Sequence, residues 1–339
     1  MTTTEAIAVI ANPSKPQWRK AIQAIERECA EPPAVITTTV EDPGAGVARQ
    51  AIADGAQRLV VCGGDGTVRE VAAGTAGSGI PVGVVPIGTA NIFARNIHLA
   101  PRALAANAAR AVHGEARALD LGWATLHTAD GGERRLPFLV LAGIGNDAAT
   151  VLGTRAIIKS RVGWLAYFES GARHLLHRPI PMEVALDDEP ARQVQAWSVL
   201  AANCPRVPPG ILVFPGADPT NGRLETLVAS VRWPHQWAAV AAQGLRMPVR
   251  ASALRYAACS RLRVTPSRPV PVQVDGDAVE GVTSLTVTID PASVRIVAGS
   301  QRPSAWPSRV GARAAAGRPR GPVSGAGRTS VGEVVGPSR

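Results

Sequence analysis

Residues 58–70 constrain the fold most: Arg-Leu-Val-Val-Cys-Gly-Gly-Asp-Gly-Thr-Val-Arg-Glu. Leu59–Cys62 is a short apolar run of the kind that forms a strand buried on both faces. It stops at Gly63-Gly64-Asp65-Gly66-Thr67. Three glycines there allow positive φ and let the backbone approach a ligand closely. Thr67 reads as the N-cap of a helix whose apolar side carries Val68, Val71 and Ala72. A strand, a glycine turn and a helix N-terminus make a nest of N–H groups suited to phosphate. A tight turn without a ligand is the plain alternative. Asp65 weighs against it, because a carboxylate beside a phosphate site suits metal or hydroxyl contact.

The neighbouring segments repeat the pattern. Ala6–Ala11 is an apolar strand ending in Asn12-Pro13-Ser14-Lys15, and 17–30 follows with Trp18, Ala21, Ile22 and Ile25 on one helical face. Val35–Val40 is a second strand, 46–56 a helix, and Val82–Ile87 a strand leading into Gly88-Thr89-Ala90-Asn91. Strands alternating with helices to about residue 112 imply a parallel α/β sheet. Ligands of such sheets sit at the carboxyl ends of strands. Asn12, Gly63–Thr67 and Gly88–Asn91 all fall there; Thr89 and Asn91 read as caps or as ligand contacts.

From 117 the pattern changes. Segments 117–126, 135–143, 181–188, 192–203, 223–231, 255–265, 270–275 and 284–289 read as strands between Gly/Pro turns, which implies a mainly antiparallel β-sandwich. The expected organisation is an α/β nucleotide-binding domain over 1–116, a sandwich over 117–299 and a disordered tail over 300–339. The tail holds seven Arg against Glu333, so it carries +6 of the formal net charge of +10. It has no aromatic interleaving, so no nucleic acid is expected. No apolar run reaches the 18 residues of a membrane helix, and no secretory signal is evident. Cys29, Cys62, Cys204 and Cys259 are scattered, as in a reduced, cytoplasmic protein.

Gly63–Thr67 resembles the Gly-Gly-Asp-Gly-Thr motif of diacylglycerol, sphingosine and NAD kinases. Pro86-Ile87-Gly88-Thr89-Ala90-Asn91-Ile92-Phe93-Ala94-Arg95 is similar to the stretch that marks the diacylglycerol-kinase-like lipid kinases. The likeness runs from about residue 5 to 298. It implies ATP and Mg2+ as cofactors. Nucleotide contacts would come from Asn12, Thr39, Gly63, Gly64, Asp65, Gly66, Thr67, Gly88, Thr89 and Asn91. Asp65 would meet Mg2+ or the phosphate-side water. Leu141–Ala148 resembles a further family turn, in which Asp147 reads equally as functional or as an N-cap. Pro215–Glu225 resembles the loop that holds a structural Mg2+, which places Asp218, Asn221 and Arg223 as the metal set. Val274-Asp275-Gly276-Asp277 resembles the turn whose acids deprotonate the lipid hydroxyl, so Asp277 and Asp275 are the candidate bases. Pro16, Ile92, Asn221 and Asp277 depart from the family pattern; the last is Asp where Glu is usual.

The resemblance implies a lipid kinase acting on diacylglycerol or a related glycerolipid, peripheral to the membrane. The aromatic and Arg-bearing stretch 150–178 reads as a packed helix or an acyl-chain contact. The basic tail suits anionic phospholipid. A homodimer stays open, as do three alternatives: a sphingoid-base kinase, an NAD kinase, and a non-catalytic lipid or nucleotide binder.

Overall fold

The computed structural model describes residues 5–148, 177–207, 210–231, 233, 236 and 252–299. The readings made for the 150–178 stretch up to residue 176 and for the tail lie outside them. The described residues belong to one compact unit.

The first half alternates as expected. In order come β1 (Ile7–Ala11), α1 (Trp18–Glu26), β2 (Ala34–Thr37), α2 (Ala45–Ala53), β3 (Arg58–Gly63), α3 (Asp65–Thr75) and β4 (Pro81–Pro86), then the short α4 (Ile92–Asn96) and α5 (Leu104–His113). The four strands are parallel, in the order β2-β1-β3-β4. β1, β3 and β4 are buried almost throughout because helices cover both faces, which is why they read as unbroken apolar runs. α1 sinks Ala21, Ile22 and Ile25 against the sheet. Fully burying Ile25 alone contributes about 1.5–3 kcal/mol. β1 is flanked by β2 on one side and β3 on the other, so the loops leaving β1 and β3 diverge. That is the switch point where an open α/β sheet forms its ligand crevice.

The second half is antiparallel: β5 (Ala116–Thr128), β6 (Glu133–Phe138), β7 (Leu141–Gly145), β8 (Ile180–Leu186), β9 (Arg192–Ala196), β10 (Ser198–Ala202), the short β11 (Arg206–Val207) and β12 (Ile211–Leu212), β13 (Leu224–Ala229), β14 (Leu254–Cys259), β15 (Arg261–Pro266), β16 (Val270–Val274) and β17 (Asp277–Val297). β15 alternates exposed and buried residue by residue, since one face meets the core and the other water. Inward residues such as Leu126, Phe138, Ile144, Met182, Leu262 and Val272 share one apolar core.

β17 is the strand that joins the halves. It pairs antiparallel with β16, β15 and β5. Near its far end Arg295 and Ile296 pair parallel with Pro81 and Val82 of β4. Sequence patterning resolved only its middle, 284–289. Segment 135–143 is two strands because the amides of Leu139 and Val140 leave the ladder and donate to the Asp275 carboxylate. Segment 192–203 divides at Trp197, whose amide donates to the carbonyl of Ala229 at 2.6 Å and whose carbonyl accepts from Asn146 N at 3.0 Å.

Candidate active site

Three loops meet at the carboxyl ends of β1, β3 and β4. Asn12 Nδ2 donates to Thr67 Oγ1 at 2.9 Å, and Asn12 Oδ1 accepts from Ser14 N and Oγ at 3.0 and 2.7 Å. The amide of Ile87 donates to the carbonyl of Gly63 at 2.9 Å. Asn91 locks the third loop. Its Oδ1 accepts from Gly88 N at 2.9 Å and its Nδ2 donates to Gly88 O at 2.7 Å. Asn91 itself is left-handed, φ 49°, a conformation Asn tolerates better than most residues.

The glycines work differently from the sequence expectation. Gly64 has φ −95°, and neither Gly63 nor Gly66 has positive φ. Their value is close approach. A Cβ on Gly63 would stand 2.5 Å from Thr67 Cβ, and one on Gly64 would stand 3.3 Å from Gly88 Cα and 3.7 Å from Lys15 Cε. Gly66 has open space where a Cβ would go. Thr67 is not the N-cap; Gly64 is, and Thr67 lies buried inside α3 with its hydroxyl turned to Asn12.

Asp65 also differs. Its Oδ1 accepts from the amide of Phe93 at 3.0 Å, and the amides of Ile92 and Asn91 also favour its charged form. Burial nonetheless pushes the carboxyl up from its ordinary value. Asp65 thus caps the start of α4 and ties the second loop to the third. Thr39 closes a turn with Asp42, its Oγ1 accepting from Asp42 N at 3.0 Å. Thr39 and Thr89 are exposed at the rim, after β2 and β4.

The turn between β16 and β17 brings the two candidate bases, and it separates their roles. Asp275 is left-handed, φ 48°. Its carboxylate accepts from Leu139 N at 2.8 Å, Val140 N at 3.0 Å and Leu141 N at 2.9 Å. Burial pushes it up to about 6, against the pull of Arg69 and those amides. Both oxygens are engaged with backbone amides, so Asp275 ties the turn to the Leu139–Leu141 segment. Asp277 is the more open of the two: its side chain is 43% exposed, and Oδ2 lies 2.8 Å from Arg69 Nη2.

Arg69 escaped the sequence reading. It sits four residues past Asp65, on the same side of α3, and that i, i+4 spacing was the available signal. Nη1 donates to the carbonyl of Val274 at 3.2 Å, and Nε and Nη2 donate to Glu70 Oε1 at 3.3 and 3.2 Å. The glycine-loop helix is thereby fastened to the acid turn.

The loop expected to hold Mg2+ is occupied with its own turns. Asp218 Oδ1 accepts from Thr220 N and Oγ1, and Asn221 Oδ1 accepts from Arg223 N. Arg223 reaches away to the carbonyl of Ala258. Asp120 organises the loop: 1% exposed, it accepts from Gly222 N at 2.7 Å and Ala292 N at 2.8 Å. Among the described residues no group of three or more His, Cys, Asp or Glu is arranged to hold a metal ion. Asp218 and Asn221 are thus turned onto their own loop, and the Arg223 side chain reaches out of it. Asp147 is drawn up in pKa by burial, with Ser198 and Gln273 beside it.

A parallel sheet with three glycine and asparagine loops at its switch point, continued by an antiparallel sandwich, defines the fold shared by diacylglycerol and NAD kinases. Residues 6–124 match the diacylglycerol kinase catalytic domain, and 140–298 match the YegS C-terminal NAD kinase beta sandwich-like domain. The chain is similar to the diacylglycerol kinase catalytic-domain family over its first part and to the YegS-type sandwich over its second. It is 31% identical over 186 residues to a diacylglycerol kinase of Mycobacterium tuberculosis, 53% of this chain and 57% of that one. With a diacylglycerol kinase of Bacillus subtilis it shares 25% identity over 250 residues, 71% and 79% of the two chains. The chain spans a little over half the length of the first curated relatives it matches. A putative diacylglycerol kinase from Bacillus anthracis superposes with a TM-score of 0.66 at 19% identity, covering 88% of this chain and 99% of that one, which shows the shared fold.

Proposed function

We propose that this protein is an ATP-dependent lipid kinase that transfers a phosphoryl group to the hydroxyl of diacylglycerol or a related glycerolipid. One observation carries the reading: the glycine-loop helix and the Asp277 turn, 205 residues apart in the chain where Arg69 meets Val274, are held together at one site.

The residues present fit ATP. Gly64 and Gly88 leave backbone where any larger side chain would intrude, and Lys15 lies beside Gly64. The helix N-terminus at Gly64 and the Lys15 ammonium favour phosphate. ATP supplies the phosphoryl group, with Mg2+ carried on its phosphates. Phosphoryl transfer asks the protein mainly for positioning and charge stabilisation. The loops orient the nucleotide, and Asp277 takes the proton of the acceptor hydroxyl.

A long-chain acceptor presents its hydroxyl from a bilayer. No described helix is long and apolar enough to cross a membrane. Peripheral attachment to the cytoplasmic face is therefore part of the proposal, aided by the +6 tail. Each Arg near an anionic surface adds roughly 1 kcal/mol.

The test is transfer from labelled ATP to a panel of diacylglycerol, phosphatidylglycerol, sphingosine and NAD. Labelled phosphatidic acid is the expected product. Label on NAD or sphingosine alone replaces the acceptor, and ATP binding with no labelled product at all leaves a non-catalytic binder.

A further inference from the structure

We infer that Arg69 is the positioning residue for Asp277, and that through it the order of the glycine loop reaches the acceptor side of the site. The inference rests on the lipid-kinase reading above and adds a residue to it.

Arg69 is the fifth residue of α3, whose first turn is the glycine loop. Its side chain is only 10% exposed. A buried guanidinium is costly unless paired and hydrogen-bonded, and this one meets both conditions. Burial works against its charge, while Asp275, Asp277 and Glu70 more than offset that. The Val274 carbonyl and Glu70 fix the plane of the guanidinium from two elements. The remaining contact, 2.8 Å to Asp277 Oδ2, then fixes the carboxylate.

The geometry explains how a short acid serves here. Asp277 is the first residue of β17, directly after a turn with Asp275 and Gly276 both at positive φ. Arg is long and planar, and its fork holds a carboxylate oxygen in a set direction. Lys at 69 would keep the charge without that direction. The role is positioning and not catalysis, because Arg69 acts on the carboxylate and not on the reacting atoms.

The experiment compares Arg69→Met, Arg69→Lys, Asp277→Asn and the double variant Arg69→Met/Asp277→Asn in the full chain. Four quantities are measured: melting temperature, ATP binding by calorimetry, and kcat and KM with mixed vesicles containing dioleoylglycerol. Arg69→Met is expected to lower kcat about tenfold or more, since misplacing a reacting group by about 1 Å can cost ~10²-fold. ATP affinity and lipid KM should stay within about twofold, and Arg69→Lys should restore part of the rate. On an Asp277→Asn background, Arg69→Met should cost less than about twofold, the non-additivity of two residues acting as one.

Multiplying losses in the double variant overturn the inference, because Arg69 then acts apart from Asp277. Loss of ATP binding or of the folded state in both Arg69 variants also overturns it, by making Arg69 a structural staple. Should Arg69→Met alone fail to fold, Arg69→Lys carries the comparison. A wild-type protein that labels none of the lipids sinks the kinase reading and this role with it. An active wild type matched by both Arg69 variants sinks this role alone.

Discussion

Gly64 and Gly88, on loops after different strands, approach so closely that a Cβ on Gly88 would stand 2.5 Å from the Gly64 Cα. Two backbones in such contact fix the width of the crevice between the loops. Gly88→Ala is expected to push the loops apart and weaken ATP binding about tenfold or more, since the displaced atoms are backbone and cannot rotate away. Gly66→Ala is the control with opposite logic. Nothing lies within 4 Å of its Cβ, and it sits in the first turn of α3. Alanine there should raise helix stability by roughly 0.5–1 kcal/mol. Calorimetry on both variants decides the matter: a loss of ATP affinity in Gly66→Ala with a raised melting temperature places phosphate against that residue. Unchanged affinity in Gly88→Ala would remove the loop contact from the binding site.

Asn91 holds the Gly88 loop by two hydrogen bonds and a left-handed backbone. Asn91→Ala loses both bonds and puts a residue with no side-chain compensation at φ 49°. The expected cost is about 1–3 kcal/mol of stability, with weaker ATP binding because the Gly88 amide is set free. Urea unfolding with and without ATP measures both. A variant as stable as wild type would mean the loop is held by the Gly64 contact alone.

The parallel half was legible because its strands are continuous apolar runs ended by unusual loop residues: Asn12, Gly63–Thr67 and Gly88–Asn91. What the sequence hid was the partnering of charged groups. Asp65 and Asp275 read as chemistry, yet each carboxylate caps backbone amides, a role that depends on where a distant loop lies. Asp277 and Arg69 meet only after β17 has brought the last strand to the first domain's helix. The metal loop is a further case. Asp218 and Asn221 look like ligands in a row, but the folded loop turns them onto Thr220 and Arg223, and Asp120 from β5 supplies its anchor.

Asp275 carries a pH signature. Its folded-state value is raised to about 6 from the ordinary 3.8. Between those values the native state holds a proton that the unfolded chain has released, so stability falls as pH rises from about 4 to 6 and is fully present below 4. Asp275→Asn cannot ionise, and its amide NH2 faces a backbone donor where a carboxylate oxygen accepted. It should be less stable by about 1–3 kcal/mol at pH 4. The difference between wild type and variant should shrink toward pH 6. Melting curves at pH 4, 5 and 6 read the difference directly; a gap that widens with pH would mean that Asp275 is held as a carboxylate by its three amides and Arg69.

Asp277 is the residue on which the proposed chemistry turns, and two substitutions separate its charge from its length. Asp277→Asn keeps the size and removes the base. It should lower kcat at least tenfold, against the usual ~10²–10⁴ for loss of a general base, with ATP affinity little changed. Asp277→Glu keeps the base and adds one methylene. The 2.8 Å contact with Arg69 Nη2 already brings the shorter acid to its partner, and Arg69 is buried and anchored on Val274 and Glu70. The longer carboxylate must either fold back or overshoot by about 1 Å, a misplacement that can cost ~10²-fold in rate. A loss of rate in Asp277→Glu is therefore expected, from initial rates on dioleoylglycerol vesicles at saturating ATP. A gain would show that the Arg69 contact holds the short acid back from the acceptor. Full kcat in Asp277→Asn would remove Asp277 as the base and send the search to Asp147, the buried acid beside Gln273.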